Sequence, residues 1–495
     1  MEGVVSWVWT SLAILLACYF VIKTFGTRLN GWYYDFKLGH RHRLLPPGDM
    51  GWPLIGKTWH YLNNPHLFVP DLRSKYGDEG GGIYKTHMFM SPSIIIRKPE
   101  TCKRVLNDEN NFRLGYPESM LTVAKTVLFE ASSEDLRRFR RVVTSPIMGY
   151  NALMMFLERM EIMAVQSLED MASKTMEEGS VELVKETKAL SLRVILHVFM
   201  GSYNQNIMQQ VIHLFYLVDQ GLLSLPLNFP GFTYYRALRS RRKLIKIVKS
   251  VVEDRKVKIE NGKVTEKNDL IDVLVDLEDE INGRKLKSED IVDLLLLFLI
   301  AGHATTGAFM MWSLIYLTNN PLAFNKAKEE QEEIVKSRPA SQKQLSVDEI
   351  KKMVYLSQVI DEVIRITDNA VPMFRVANND VNINGYIVPK GWKVILWPLA
   401  SYKDPQYFPN PREFNPSRWD DNNAKEAFLP FGAGIRQCPG RDVARVEILI
   451  FLHHFVLNYK LEQINPEFPI SYLPVPVPKD NCLAKLIKVS SGIAA

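Results

Sequence analysis

Phe431-Gly-Ala-Gly-Ile-Arg436-Gln-Cys438-Pro439-Gly440 is the stretch on which the reading of this chain turns. One cysteine sits in a glycine-rich turn, with Phe431 seven residues before it and Arg436 two before. Downstream, Arg441-Asp-Val-Ala-Arg-Val-Glu-Ile-Leu-Ile-Phe451 carries apolar residues at helical spacing. Glycines let backbone approach a flat ligand closely, and Pro439 suits the first turn of a helix. Backbone N–H groups aimed at a sulfur in such a turn favour the thiolate, which is a metal ligand. The alternative is a buried structural cysteine beside an ordinary loop, so the rest of the chain has to decide.

At 495 residues and 46% hydrophobic, the chain can bury a large core in one large domain or several. The four cysteines (Cys18, Cys102, Cys438, Cys482) are widely spread and form no C-x-x-C pair. That argues against a zinc site and a disulfide scaffold. A net charge of +6 fits an anionic membrane surface or an acidic protein partner. Without a basic block interleaved with aromatics, no nucleic-acid partner is expected. Gly432-x-Gly434 lacks the third glycine and the preceding strand of a dinucleotide fingerprint, so electrons for any redox chemistry must come from another protein.

Gly3 to Ile22 is twenty residues without a formal charge, and basic residues follow it: Lys23, Arg28, Lys37, Arg41 and Arg43. This pattern reads as a transmembrane anchor over 1–23 with the rest of the chain cytosolic. Leu45-Pro-Pro-Gly-Asp-Met-Gly-Trp-Pro-Leu-Ile-Gly56 closes a basic and proline-rich linker over 24–56, and residues 57–495 form the globular part. Helical periodicity dominates there. Strands are expected near Gly82–His87, Pro92–Arg97, Phe374–Val376, Val381–Asn384, Tyr386–Pro389 and Trp392–Trp397, with a hairpin turn at Lys390-Gly391. Leu136-Arg-Arg-Phe-Arg140-Arg-Val-Val143 reads as a basic helix, either a solvated face or a grip on an anion. Helices are expected over Met155–Met176, Lys185–Met200 and Asn204–Gln220. An apolar loop, Gly221–Phe232, and a basic helix follow them. Ser288 is expected to cap a helix running to Asn319, on the order of 45 Å long. Its stretch from Leu294 to Leu317 has no formal charge, so a second membrane span competes with a core helix. Its middle, Ala301-Gly302-His303-Ala304-Thr305-Thr306-Gly307, makes a poor lipid-facing surface and a good place for a ligand to approach. Ser346-Val-Asp-Glu349 reads as a capping box, and the helix it starts is expected to carry Glu362-Val-Ile-Arg365.

Taken in order, the proline hinge, Ala301-Gly-x-x-Thr305, Glu362-x-x-Arg365, Phe414-Asn-Pro-Ser-Arg418-Trp and Phe431-x-x-Gly-x-x-x-Cys438-x-Gly440 resemble a cytochrome P-450, a haem-thiolate monooxygenase. Asn30-Gly-Trp-Tyr-Tyr-Asp35 and Phe112-Arg-Leu-Gly-Tyr-Pro117 bring it closer to the plant branch that oxidises cyclic terpenoids. The resemblance implies a mainly α fold with a smaller β region (α+β) and a haem b between a long central helix and the cysteine loop. It implies that Cys438 ligates the iron and that Phe431 shields the sulfur. Glu362, Arg365 and Arg418 would form a buried ion-pair triad. Arg140, Arg375 and Arg436 would hold the propionates. Thr305 would be the oxygen-activating hydroxyl, with Ala301 and Gly302 making room beside it.

Where that family usually has Asp or Glu before the threonine, this chain has Ala304, and Thr306, His303 and ordered water are the candidate substitutes. The expected partners are an NADPH-cytochrome P-450 reductase, an apolar terpenoid substrate and the endoplasmic reticulum membrane, crossed once. The expected substrate is a triterpene of the β-amyrin type, with a diterpenoid of the kaurenoic acid type as the alternative. A haem-thiolate isomerase or dehydratase that needs no electrons competes on the strength of Ala304.

Overall fold

The computed structural model describes residues 25–78, 80–117, 154–201, 205–222, 224–262, 269–277, 285–367 and 372–489, with Trp7, Trp9, Thr122, Glu134, Arg137 and Arg140 besides. The expected anchor and the basic stretch 136–143 otherwise lie outside the described residues. The chain divides into two compact units, Met1–Pro117 with Pro372–Ser401, and Glu118–Val371 with Tyr402–Ala495.

The smaller unit is built on a six-stranded sheet. Its strands are β1 (Gly48–Asp49), β2 (Ile83–Met88), β3 (Ser91–Ile96), β4 (Phe112–Leu114), β6 (Met373–Ala377) and β9 (Lys393–Leu396), in the order β1-β2-β3-β9-β6-β4. Ile94, Ile95 and Ile96 are buried in succession, as the unbroken apolar run of a strand covered on both faces requires. β3 pairs in parallel with β9, Ile94 opposite Val394. A parallel pair needs a long crossover, and here the chain of the larger unit supplies it. Helices α1 (25–38), α2 (Thr58–Asn63), α3 (Pro65–Tyr76) and α4 (Pro99–Asn107) complete the unit. The segment read as a linker, 24–56, thus carries α1 and the edge strand β1.

A separate hairpin joins β7 (Val381–Ile383) to β8 (Tyr386–Val388). Its turn is Asn384-Gly385, both at positive φ (51° and 89°), and not Lys390-Gly391, which merely bends the chain towards β9. Asn-Gly fits the two left-handed positions of a tight hairpin turn, and lysine does not.

The larger unit is helical. In chain order it holds α5 (Leu157–Glu178), α6 (Leu183–Met200), α7 (Gln205–Asp219), α8 (Thr233–Glu260), α9 (Leu270–Asp276), α10 (Ser288–Asn319), α11 (Pro321–Lys336), α12 (Val347–Lys352), α13 (Val354–Ile366), α14 (Asn422–Ala427) and α15 (Arg441–Asn458). β10 (Tyr459–Gln463), β13 (Leu483–Lys488) and β5 (Val181–Glu182) form one small sheet, and β11 (Ile470–Ser471) with β12 (Val477–Pro478) another. The capping box forms as read: the Glu349 N–H donates to Ser346 Oγ, and the Ser346 N–H donates to Glu349 Oε2.

Ser288 does not cap α10. The N-cap is Lys287, and the Ser288 hydroxyl instead accepts a 2.6 Å hydrogen bond from Lys256 Nζ of α8. α10 is long and apolar enough to cross a membrane, yet 67% of its most apolar window is buried within the protein. A helix apolar on all sides needs partners on all sides, and α10 finds them in two separate hydrophobic cores. Its N-terminal part, Ile291 to Leu299, belongs to a core shared with α6, α7, α8 and α9. Its C-terminal part, Met310 to Leu317, belongs to one shared with α5, α11, α13 and α15. The stretch between, 300–309, lies in the seam.

Candidate active site

Within that seam α10 is open along one stripe. Ala301 is exposed and Gly302, Thr305 and Phe309 are half-buried, whereas His303, Ala304, Thr306 and Gly307 are buried. Spacings of three and four residues put the open positions on one face. The Thr305 hydroxyl donates to Ala301 O at 2.9 Å and lies within 3.2 Å of Gly302 O, which leaves its oxygen free to accept on the open side. The space left by the missing Gly302 side chain is taken by Ile195 of α6, since a Cβ there would meet Ile195 Cδ1 at 2.7 Å.

His303 lies on the far face. Its Nδ1–H donates to Leu299 O at 3.0 Å, its ring meets Phe215 edge-on at 4.6 Å, and Nε2 is 3.8 Å from Asp219 Oδ2. Burial holds its pKa below the ordinary imidazole value against the opposing pull of Asp219. Ala304 and Thr306 also stand on closed faces, so the open stripe presents a single hydroxyl, that of Thr305.

The cysteine loop precedes α15. Gly432 and Gly434 both take φ of 72°, which opens the turn, and the Cys438 N–H closes it on Phe431 O at 2.9 Å. The Cys438 side chain is open on one side. Protein packed around its other sides pushes the thiol up, while the Gly440 N–H and the guanidiniums of Arg140 and Arg441 pull it down. Arg140 also donates to Gln437 O, and so stands directly against the loop. The Phe431 ring lies under the Arg445 guanidinium, 5.7 Å from its centroid, and Arg445 is in turn paired with Asp361 of α13. Arg436 closes the short 3₁₀ turn Gly434–Arg436. Arg375 belongs to the smaller unit, buried on β6, where its Nη1 donates to Phe374 O at 3.0 Å.

Glu362 and Arg365 form a bidentate pair: Nε to Oε2 at 2.8 Å and Nη2 to Oε1 at 2.9 Å, both residues almost wholly buried. Arg418 Nε adds a third bond to Glu362 Oε1 at 2.9 Å, and the Asn415 N–H a fourth at 2.9 Å. Arg365 spends its other donors on the carbonyls of Tyr402, Pro411 and Glu413. A buried ion pair is tolerable when its polar groups are well engaged; here all five N–H donors of Arg365 are used and Glu362 accepts four hydrogen bonds. The Tyr402 hydroxyl accepts the Leu429 N–H at 2.8 Å. One buried tyrosine therefore ties the triad to the approach of the cysteine loop. Neither Tyr402 nor the Arg445–Asp361 pair was legible in the sequence, because their partners lie far along the chain with no motif to connect them.

A free thiol open on one side, with cations and N–H groups around it, is a donor set suited to haem iron. A stripe of small residues with one hydroxyl suits a ligand-facing wall. The residues present therefore fit a haem-thiolate centre. The family model for Cytochrome P450 matches residues 46–476. The chain belongs to the cytochrome P450 family and is a cytochrome P450 monooxygenase. It is 53% identical to beta-amyrin 11-oxidase of Glycyrrhiza uralensis, over 98% of this chain and 99% of that one. It is 44% identical to (21S)-21-acetyl-1-hydroxy-apo-melianone synthase of Melia azedarach (97% and 99%) and 40% identical to ent-kaurenoic acid oxidase 2 of Arabidopsis thaliana (95% and 96%). The solved structure of retinoic acid bound cyanobacterial CYP120A1 shares the fold, with a TM-score of 0.76 at 24% identity over 90% of this chain and 99% of that one.

Glu447 of α15 was not singled out by the sequence. It is fully buried, and that burial pushes its carboxyl up to about 8 against a small opposing effect of Ser191. Its folded pKa lies above its unfolded one, so its contribution to stability is complete below about pH 4.5 and is lost as pH rises through about 8. Between pH 6 and pH 9 the unfolding free energy should fall by about 3 kcal/mol through this group. Glu447→Gln should remove that part of the slope in urea titrations at the two pH values.

Proposed function

We propose that this chain is a membrane-anchored monooxygenase of a cyclic terpenoid, most specifically a triterpene of the β-amyrin type. The observation that carries this reading is the 53% identity to beta-amyrin 11-oxidase along essentially the whole of both chains. Electrons come from NADPH through a separate flavoprotein reductase, at the endoplasmic reticulum membrane, with a single anchor over 1–23 and the catalytic part over 57–495 in the cytosol. When bound, the haem supplies the activation of dioxygen.

The residues of the chain do the rest. Cys438 would hold the iron as thiolate, a form that the Gly440 N–H, Arg140 and Arg441 favour against the burial that raises the thiol. Phe431 covers the loop behind the sulfur. Arg140 and Arg436, which flank the loop, would neutralise the propionates. Glu362, Arg365 and Arg418 hold the segment from which the loop departs. Ala301 leaves the stripe open for substrate beside Thr305, whose hydroxyl donates to Ala301 O and so accepts and orients a hydrogen-bond donor at the open face. With Ala304 closed off and carrying no acid, and Thr306 buried, Thr305 bears this task without a neighbouring carboxylate on its own helix. Thr305→Val should therefore leave the spectrum of the loaded protein unchanged and lower the product formed per NADPH consumed by about tenfold or more. Parallel measurement of NADPH oxidation and product checks it.

Co-expression with a plant reductase and a panel of cyclised triterpenes and diterpenes, read by mass spectrometry, tests the proposal. The expected result is a triterpene of the β-amyrin type gaining oxygen. Conversion of diterpene acids alone, or of none of the panel by a protein with a normal carbon monoxide spectrum, would overturn it. The electron-free isomerase or dehydratase reading rests on Ala304 alone. Product formed without NADPH or reductase would favour it.

A further inference from the structure

α7 (Gln205–Asp219) and α8 (Thr233–Glu260) pack as a hairpin, with Val211, Phe215 and Val218 buried on the first and Tyr234, Ala237, Leu244 and Val248 on the second. Beside this apolar seam runs a groove of about 720 Å³, away from the Thr305 stripe and the cysteine loop in its lining. Asn206, Gln209, Gln210 and His213 line it from α7, at spacings that share one helix face, and Lys243 and Lys246 line it from α8. Leu214 and Ile247 complete its lining.

The composition is one-sided. Every polar side chain in the lining can donate a hydrogen bond, and no carboxylate is among them. Other cations of α8 are spent on packing: Arg241 lies 3.6 Å from Asp293, Lys249 pairs with Glu289, Arg255 with Asp269, and Lys256 donates to Ser288. Lys243 and Lys246 have no such carboxylate among the described residues. Two ammonium groups facing a row of carboxamides form an acidic partner's counterpart: charge attraction from one wall and directional donors from the other.

We propose that this groove binds a phosphate ester anion. Phosphate presents three acceptor oxygens and one to two negative charges, which matches several donors and two cations better than a single carboxylate does. The neighbouring loop favours a lipid headgroup as the source. Leu225 and Phe229 between the two helices are 76% and 66% exposed. Lys243 follows Thr233 by ten residues, about 15 Å along α8 from that apolar tip. A tip sunk by roughly 5–10 Å into the acyl boundary would bring the groove towards the phosphate layer.

The test uses the full chain in detergent, titrated by calorimetry with inorganic phosphate, short-chain phosphatidic acid and short-chain phosphatidylcholine. Three proteins are compared: wild type, Lys243→Gln/Lys246→Gln, and Arg239→Gln/Arg242→Gln, which removes equal charge from exposed positions of α8 outside the groove. The expected result is saturable binding of phosphate or phosphatidic acid, weakened about tenfold in the lysine variant and hardly at all in the arginine variant. Preference for phosphatidic acid over inorganic phosphate identifies a headgroup site, and equal affinity a site for soluble phosphate. Equal losses in the two variants, or no saturable binding by wild type, would overturn the proposal. Should the double variant fail to fold, Gln210→Leu, with both lysines kept, must still weaken binding.

Discussion

Cys438→Ser is expected to give a folded protein whose reduced, carbon monoxide-treated spectrum lacks the band of thiolate-ligated haem, with product formation at background. The loop gives the reason for both halves of that result. Its closure is a main-chain bond, Cys438 N–H to Phe431 O, and its opening relies on two glycines at positive φ. None of these involves the sulfur. Serine is nearly isosteric and keeps them all, but its hydroxyl is no substitute for a thiolate as an iron ligand. Cys102→Ser and Cys482→Ser serve as controls, since both thiols are buried and Cys102 donates to Ile96 O. Both should keep the band. A retained band in Cys438→Ser would remove the thiolate assignment.

Arg365→Lys should be almost as damaging as Arg365→Leu, and neither should yield folded, haem-loaded protein in quantity. The guanidinium uses Nε once and each terminal nitrogen twice: on Glu362, Tyr402 O, Pro411 O and Glu413 O. A planar five-donor fork fills that pocket, and an ammonium with three donors leaves carbonyls unanswered. Removing one partner of a buried pair costs about 3–5 kcal/mol, against a total stability that is commonly about 5–15 kcal/mol. Soluble yield and the midpoint of urea unfolding measure the loss. A lysine variant with wild-type midpoint would show that the charge, and not the fork, is what the site needs.

How far the chain could be read in advance depended on distance. The cysteine turn and the capping box at Ser346 are local, and each residue type there has one physical use, so both were legible. By spacing alone Glu362 and Arg365 are an ordinary i,i+3 pair on a helix, and only the family pattern adds Arg418. Without that pattern nothing in the helix announces burial, because the groups that neutralise it come from residues 402–418. Ser288 misled for a related reason: a hydroxyl before two acids resembles a cap, but Lys256 of another helix claims it first. The hairpin turn expected at Lys390-Gly391 falls instead at Asn384-Gly385, whose two residues both tolerate left-handed backbone. Arg140 could be read as an anion-gripping residue, but its place beside Gln437 could not.

The close approach of α10 and α6 limits how this enzyme could be re-engineered. Gly302 lies where a Cβ would strike Ile195, and Gly307 where one would strike the backbone of Lys188 at 2.7 Å. The two helices are keyed together on either side of Thr305, so the wall that carries the hydroxyl cannot slide or tilt to admit a bulkier skeleton without breaking both contacts. Changes of cavity size, in the laboratory or in descent, should therefore be found on other walls, while the spacing from Ala301 to Gly307 behaves as a fixed ruler.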